Sequence, residues 1–139
     1  MIEVKMRWAG GIRFEGEGVF GHTIITDGGK QSGGKEAGFQ PTELLLFSIA
    51  SCTGVDVVRI LEKQRQKLTS LEIEVKAHQN DNYPKPFHTF EVKYIARGEN
   101  LSEKKLAKAI ELSEGKYCVV SQTMESGAKV ATSFEIIAE

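Results

Sequence analysis

The stretch PTELLLFSIASCTGVDVVRIL, residues 41–61, is apolar on nearly every side of a helix in its first half, through Leu44, Leu45, Leu46, Phe47, Ile49 and Ala50. A helix that is hydrophobic all round has to be buried, so the rest of the chain must supply surface to wrap it. Pro41 suits a first helical turn because it has no amide proton to leave orphaned there, and Glu43 suits the positive end of the helix dipole. The pattern predicts a helix from Pro41 to about Lys67, whose polar second half, RILEKQRQK, emerges into water. Such a helix reads as a central shaft embraced by sheets, with two subunits as one source of them. Ser48, Ser51, Thr53, Gly54 and Asp56 interrupt the apolar run, which on this reading leaves no stretch long and apolar enough to span a bilayer.

Strand periods flank the helix on both sides. Ile2, Val4, Met6 and Trp8 alternate with polar residues, Ile12 and Phe14 begin a hairpin turning through Gly16, Glu17 and Gly18, and residues 20–26 return as a strand. Residues 28–40 are rich in Gly, Lys, Ser and Gln and read as a loose surface loop. After the helix, Leu71, Ile73, Val75 and Ala77 alternate with charged residues and His78, and Phe90, Val92, Tyr94 and Ala96 form the return strand of a hairpin. Ser102 is the expected cap of a helix that stops at Gly115; a short helix over 118–125 and a strand through Val130, Thr132, Phe134 and Ile136 complete the chain. The expected fold is α+β, ordered β-β-β-α-β-β-α-α-β, as one domain over residues 1–139.

Composition narrows the class of function. At 139 residues, 40% hydrophobic and 27% charged, the chain reads as one soluble globular domain. A net charge of −1 argues against a nucleic-acid partner, and MIEVKMRW lacks the apolar core of a signal peptide, so a cytoplasmic location and no membrane partner are expected. His22, His78 and His88 have no metal-ligand spacing, and the glycine-rich segment 28–34 lacks the trailing GK[ST] of a phosphate loop; no metal and no cofactor are expected.

The chemistry rests on two cysteines, Cys52 and Cys118. Cys118 opens a helix, where backbone donors lower a thiol pKa; Cys52 is in mid-helix and on this reading needs a cation from another element, with Arg59, Arg13 and Arg7 as candidates. Asp56 and Arg59, one and two turns beyond Cys52, are expected to bring charge next to the sulfur. The plainer alternatives stay open: both cysteines as small core residues, Asp56 and Arg59 as a surface ion pair, and Glu43 as a charge favourable to a helix start.

The segments PTELLLFSIASCTGVDVVRILEKQ and EGKYCVVSQTM, with the element order, resemble the OsmC/Ohr family over nearly the whole chain, and within it the OsmC-like, YhfA-type branch. The resemblance implies an intertwined homodimer with active sites at the subunit interface. It further implies a thiol peroxidase that reduces organic hydroperoxides in oxidative-stress defence, with Cys52 as peroxidatic and Cys118 as resolving cysteine and an external dithiol as electron donor. The family arginine is carried over to Arg13 in GGIR, and its orienting glutamate to Glu43, each displaced by one residue from the family position. At about 100 degrees per residue Glu43 then lies on roughly the opposite side of the helix from Cys52. A non-catalytic module holding a small apolar ligand and a redox sensor built on the same two cysteines are the rival expectations.

Overall fold

The protein is described by a computed structural model, which covers residues 1–127 and Ser133. The strand expected through Val130–Ile136 lies outside the described residues. The chain forms two compact units, residues 1–48 with 75–90, and residues 49–74 with 91–139. The long helix α1 (Pro41–Lys63) and strands β4 (Lys67–Gln79) and β5 (Phe87–Glu99) contribute to both.

In the first unit β1 (Lys5–Trp8), β2 (Phe14–Glu17) and β3 (Thr23–Thr26) make an antiparallel sheet in the order β1-β2-β3, with Trp8 opposite Phe14 and Phe14 opposite Thr26. Its first turn is at residues 9–13, where Gly10 and Gly11 take φ of 93° and 56°. Glycine adopts these values without a steric penalty. The expected turn through Gly16 is corrected, since Gly16 is an inner member of β2, paired with both Met6 and Ile24. A Cβ there would stand 2.9 Å from the Lys5 carbonyl oxygen, so this glycine serves close strand approach. The actual second turn closes through Gly18 N–H donating to the His22 carbonyl at 2.7 Å, which delays β3 to Thr23.

The loop after β3 is tethered. Asp27 is buried, and its carboxylate accepts the backbone N–H groups of Gly28 at 2.8 Å and of Lys35 and Ala37 at 3.1 Å each. The Gly28 bond above all, then those of Ala37 and Lys35 and the charge of Arg13, hold this carboxyl below its ordinary 3.8 against the opposing effect of burial. A depressed carboxyl pKa contributes stability above the ordinary value and loses it as pH falls through the folded value. The loop is therefore expected to stay fixed until pH drops below 3.8. Asp27→Ala is expected to remove the hydrogen-exchange protection of the Gly28, Lys35 and Ala37 amides at neutral pH; unchanged protection would contradict the tether.

In the second unit Ile49, Thr53, Val57 and Leu61 form the buried row of α1, spaced one turn apart. Val57 and Leu61 join Ala109 in the core, packed by Ile60, Leu68, Leu71, Tyr94, Leu106 and Ile110. The expected all-round burial of the helix is not met within one chain. Leu45, Phe47, Val55 and Val58 are exposed, Phe47 at 53% and Val55 at 48%. Contrary to the sequence reading, α1 is long and apolar enough by length and composition to cross a membrane, its most apolar window having a mean hydropathy of 1.8. Ser48 and Thr53, two of the polar interruptions, return their hydroxyls to the helix carbonyls of Leu45 and Ile49.

The helix also ends earlier than expected, at Lys63 rather than Lys67. Arg65 adopts φ of 56°, and Gln66 N–H donates to Leu61 O at 2.9 Å while Arg65 N–H donates to Glu62 O at 3.0 Å, the paired bonds of a Schellman ending. Strands β4 and β5 pair with each other; Thr69 Oγ1 donates to the Arg97 carbonyl, and Lys67 lies 3.8 Å from Glu99. Helix α2 (Glu103–Leu112) is capped as expected by Ser102, whose oxygen accepts from Lys105 N–H at 3.2 Å. It does not run on to Gly115 but widens into a π-type turn, Ser113–Tyr117, before α3 (Val119–Ser126).

Candidate functional site: a thiol pair at one helix start

Cys52 and Cys118, both free thiols, come together in the second unit. Cys118 has no exposed surface and is the N-cap of α3, its sulfur accepting the Ser121 N–H at 3.4 Å. Cys52, half-buried on α1, has the Cys118 thiol and the backbone N–H groups of Val119 and Val120 as its neighbours. The first amides of a helix have no partner within it, so the start of α3 offers donors to sulfur; Ser121 donates its N–H to Cys118, and the Val119 and Val120 amides are near enough to Cys52 to favour its anion.

This corrects the expectation that Cys52 lacks the help of a helix terminus. The charged residues one and two turns along do not supply the sulfur's surroundings. Asp56 accepts the Ser113 hydroxyl at 2.9 Å, and Arg59 is exposed. Burial, and next the neighbouring Cys118 thiol, push the Cys52 thiol above its ordinary 9.0, with the two amides pulling the other way. The site thus keeps Cys52 protonated at neutral pH while providing donors for the anion once it forms.

The supports around the pair come from several elements. Cys118 N–H donates to Ser113 O at 2.7 Å, Tyr94 Oη donates to Glu114 Oε1 at 2.8 Å, and Gln122 Nε2 donates to Glu114 O at 2.8 Å. Burial and the neighbouring Glu114 raise the Tyr94 hydroxyl far above its usual range, so it acts as a donor throughout. Sequence reading missed Tyr94, Ser113 and Glu114 as neighbours of the cysteines. Tyr94 reads as one more inward residue of an alternating strand, and a π-type turn has no sequence signal.

Arg13 and Glu43 belong to the first unit. Arg13 Nη2 is 2.7 Å from Glu15 Oε1, its Nε is buried without a hydrogen-bond partner, and with Asp27 and Lys35 it lines a cleft of about 200 Å³. Glu43 Oε1 accepts the Gln40 N–H at 3.0 Å, the returning half of a capping box at the start of α1. Among the described residues no group of three His, Cys, Asp or Glu side chains is placed to hold a metal ion.

A family described as OsmC-like protein matches residues 33–133, a span that contains both cysteines. The chain belongs to this family. Protein YhfA of Escherichia coli strain K12 is 31% identical to it over 137 residues, 99% of each chain. The crystal structure of a hypothetical protein from Aquifex aeolicus VF5 superposes with a TM-score of 0.79 at 35% identity, over 91% of this chain and 88% of that one. An organic hydroperoxide resistance protein OsmC from Legionella pneumophila gives a TM-score of 0.63 at 15% identity, over 89% and 90% of the two chains; at that identity the likeness concerns the fold alone. The mixed α+β architecture is common to this chain and the two solved structures.

Proposed function

We propose that this OsmC-like protein reduces organic hydroperoxides with Cys52 as nucleophile and Cys118 as resolving thiol. The observation that carries the reading is that the two thiols are neighbours at the start of α3. The Cys52 thiolate attacks the peroxide O–O bond, becoming a sulfenic acid while the second oxygen leaves as alkoxide and is protonated to the alcohol. Cys118 sulfur then attacks the sulfenic sulfur; the S–O bond breaks, water leaves with the Cys118 proton, and a disulfide remains. An external dithiol returns both thiols and is itself oxidised to a disulfide, so no prosthetic group takes part.

The family resemblance brings in Arg13 as the cation favouring the thiolate and Glu43 as the carboxylate that orients it. With Glu15 and the Gln40 amide as their present partners, both roles require these side chains to exchange partners. The exposed apolar side chains of α1, Leu45, Phe47, Val55 and Val58, suit cover by a second copy of the chain, which is our reading of the homodimer. Two free thiols fit the reducing cytoplasm.

Val55, one turn beyond Cys52, and Val119 are both exposed and give an alkyl chain apolar surface that hydrogen peroxide cannot use. With dithiothreitol as donor, kcat/KM for cumene hydroperoxide is expected to exceed that for hydrogen peroxide by roughly tenfold or more, given about 25 cal/mol per Å² of apolar burial. Equal values would remove the preference for organic substrates. Stoichiometric disulfide formation without turnover would favour the redox-sensing reading, and no reaction at either cysteine the ligand-binding one.

A further inference from the structure

Cys118 is fully buried, and the chain leading to it is the π-type turn Ser113–Tyr117. Such turns are rare and concentrate at functional sites, because the wider ring is poorly stabilised by its own bonds and persists when something outside holds it. Here three elements hold it. From α1, Asp56 Oδ2 accepts the Ser113 hydroxyl at 2.9 Å; from β5, the Tyr94 hydroxyl donates to Glu114 Oε1 at 2.8 Å; from α3, Gln122 Nε2 donates to Glu114 O at 2.8 Å. Ser113 O in turn accepts the Cys118 N–H at 2.7 Å, so the anchored end of the turn is bonded directly to the backbone of the buried thiol. Asp56 follows Cys52 by one helical turn on α1, so one rigid element carries both the nucleophile and the anchor of its partner.

We infer that Asp56 and Tyr94 are positioning residues, clamping the turn at Ser113 and Glu114 so that the Cys118 sulfur stays against that of Cys52 and the pair closes to a disulfide faster than Cys52 is oxidised further. The inference deepens the proposed function and rests on its use of the two cysteines as a redox pair. Tyr94→Phe removes the donor and leaves the ring in its packing. Asp56→Ala removes the acceptor, whereas Asp56→Asn retains an oxygen for the Ser113 hydroxyl and serves as the conservative control.

The test is the equilibrium of the Cys52–Cys118 disulfide with a glutathione redox buffer, read as the effective concentration of one thiol toward the other in the full chain. A role in stability alone acts equally on the dithiol and disulfide forms and leaves this constant where it was, although it lowers Tm. Tyr94→Phe and Asp56→Ala are each expected to lower the effective concentration about tenfold, the equivalent of one lost hydrogen bond to a charged group. Asp56→Asn is expected to stay close to the native protein. An unchanged constant in folded Tyr94→Phe, or a loss in Asp56→Asn equal to that in Asp56→Ala, would overturn the inference, as would a native protein that forms no internal disulfide in oxidised glutathione. Should Asp56→Ala fail to fold, Tyr94→Phe decides alone. A native protein that forms the disulfide but consumes no cumene hydroperoxide would remove the peroxidase reading while the comparison of variants still decides the role of the anchors.

Discussion

Replacing Cys52 by serine is expected to reduce hydroperoxide consumption to the rate of the dithiol alone, because a hydroxyl in the same place is not ionised at neutral pH and is a poor nucleophile toward an O–O bond. Cys118→Ser should behave differently. Its first turnover keeps a rate close to native, since Cys52 and the Val119 and Val120 amides are still in place, but the sulfenic acid then lacks its internal trap and progresses to sulfinic acid with excess peroxide. Single-turnover peroxide loss, followed by intact mass, separates the two variants. Equal loss of the first turnover in both would contradict the assigned order of events.

The electrostatics add a pH signature to the same measurement. Because burial and the neighbouring Cys118 thiol hold the Cys52 thiol above 9.0, its thiolate fraction at neutral pH is small, and the first-turnover rate is expected to climb from neutral pH through 9.0 without an early plateau. The folded chain retains this proton more firmly than the unfolded chain. The associated stability is therefore complete below 9.0 and is lost as pH rises through the folded value. A rate plateau reached well below neutral pH would show that another group lowers the thiol pKa, the part the family resemblance gives to Arg13.

The second large effect concerns the core that holds α1. Leu61 is 2% exposed and sits with Val57 and Ala109, with Leu68, Leu71 and Leu106 among the side chains packed around them. Leu61→Ala is expected to cost roughly 2–5 kcal/mol, from lost burial and from a cavity that strands β4 and β5 and helix α2 cannot fill by small shifts. Against a typical total of about 5–15 kcal/mol this is a large share. Leu61→Met, which preserves volume, should cost less than about 1.5 kcal/mol. Urea denaturation of the reduced protein measures both; a loss below about 1 kcal/mol for the alanine variant would mean that this cluster is not the core of the unit.

Where local chemistry decides the structure, the sequence was sufficient. The alternation from Leu71 to Ala77 and from Phe90 to Ala96 marks inward positions because a strand has a period of two, and Ser102 caps α2 because a serine oxygen ahead of Glu103 can take a free amide. Features set by distant parts of the chain were hidden. The stop of α1 places an arginine, not a glycine, in the left-handed position at residue 65, so the usual punctuation is missing. The loop after β3 looks unrestrained because its tether, Asp27, accepts amides as far along as Ala37. Both cysteines stand out in the sequence as the candidate chemical centre, and the family resemblance supplies the order in which the proposed reaction uses them. The donors at Cys52 were not legible, because they are main-chain amides of Val119 and Val120, delivered by tertiary packing and available at any sequence. The sequence also overstates the burial of α1, since hydrophobicity all round a helix specifies cover without saying that one chain provides it.

The most direct measurement on the central claim is non-reducing peptide mapping after one equivalent of cumene hydroperoxide is added to the fully reduced protein. A chain lighter by two hydrogens is expected, with Cys52 joined to Cys118 in one peptide pair and one equivalent of the alcohol released. Unaltered thiols at both positions, in protein shown to be folded, would contradict it.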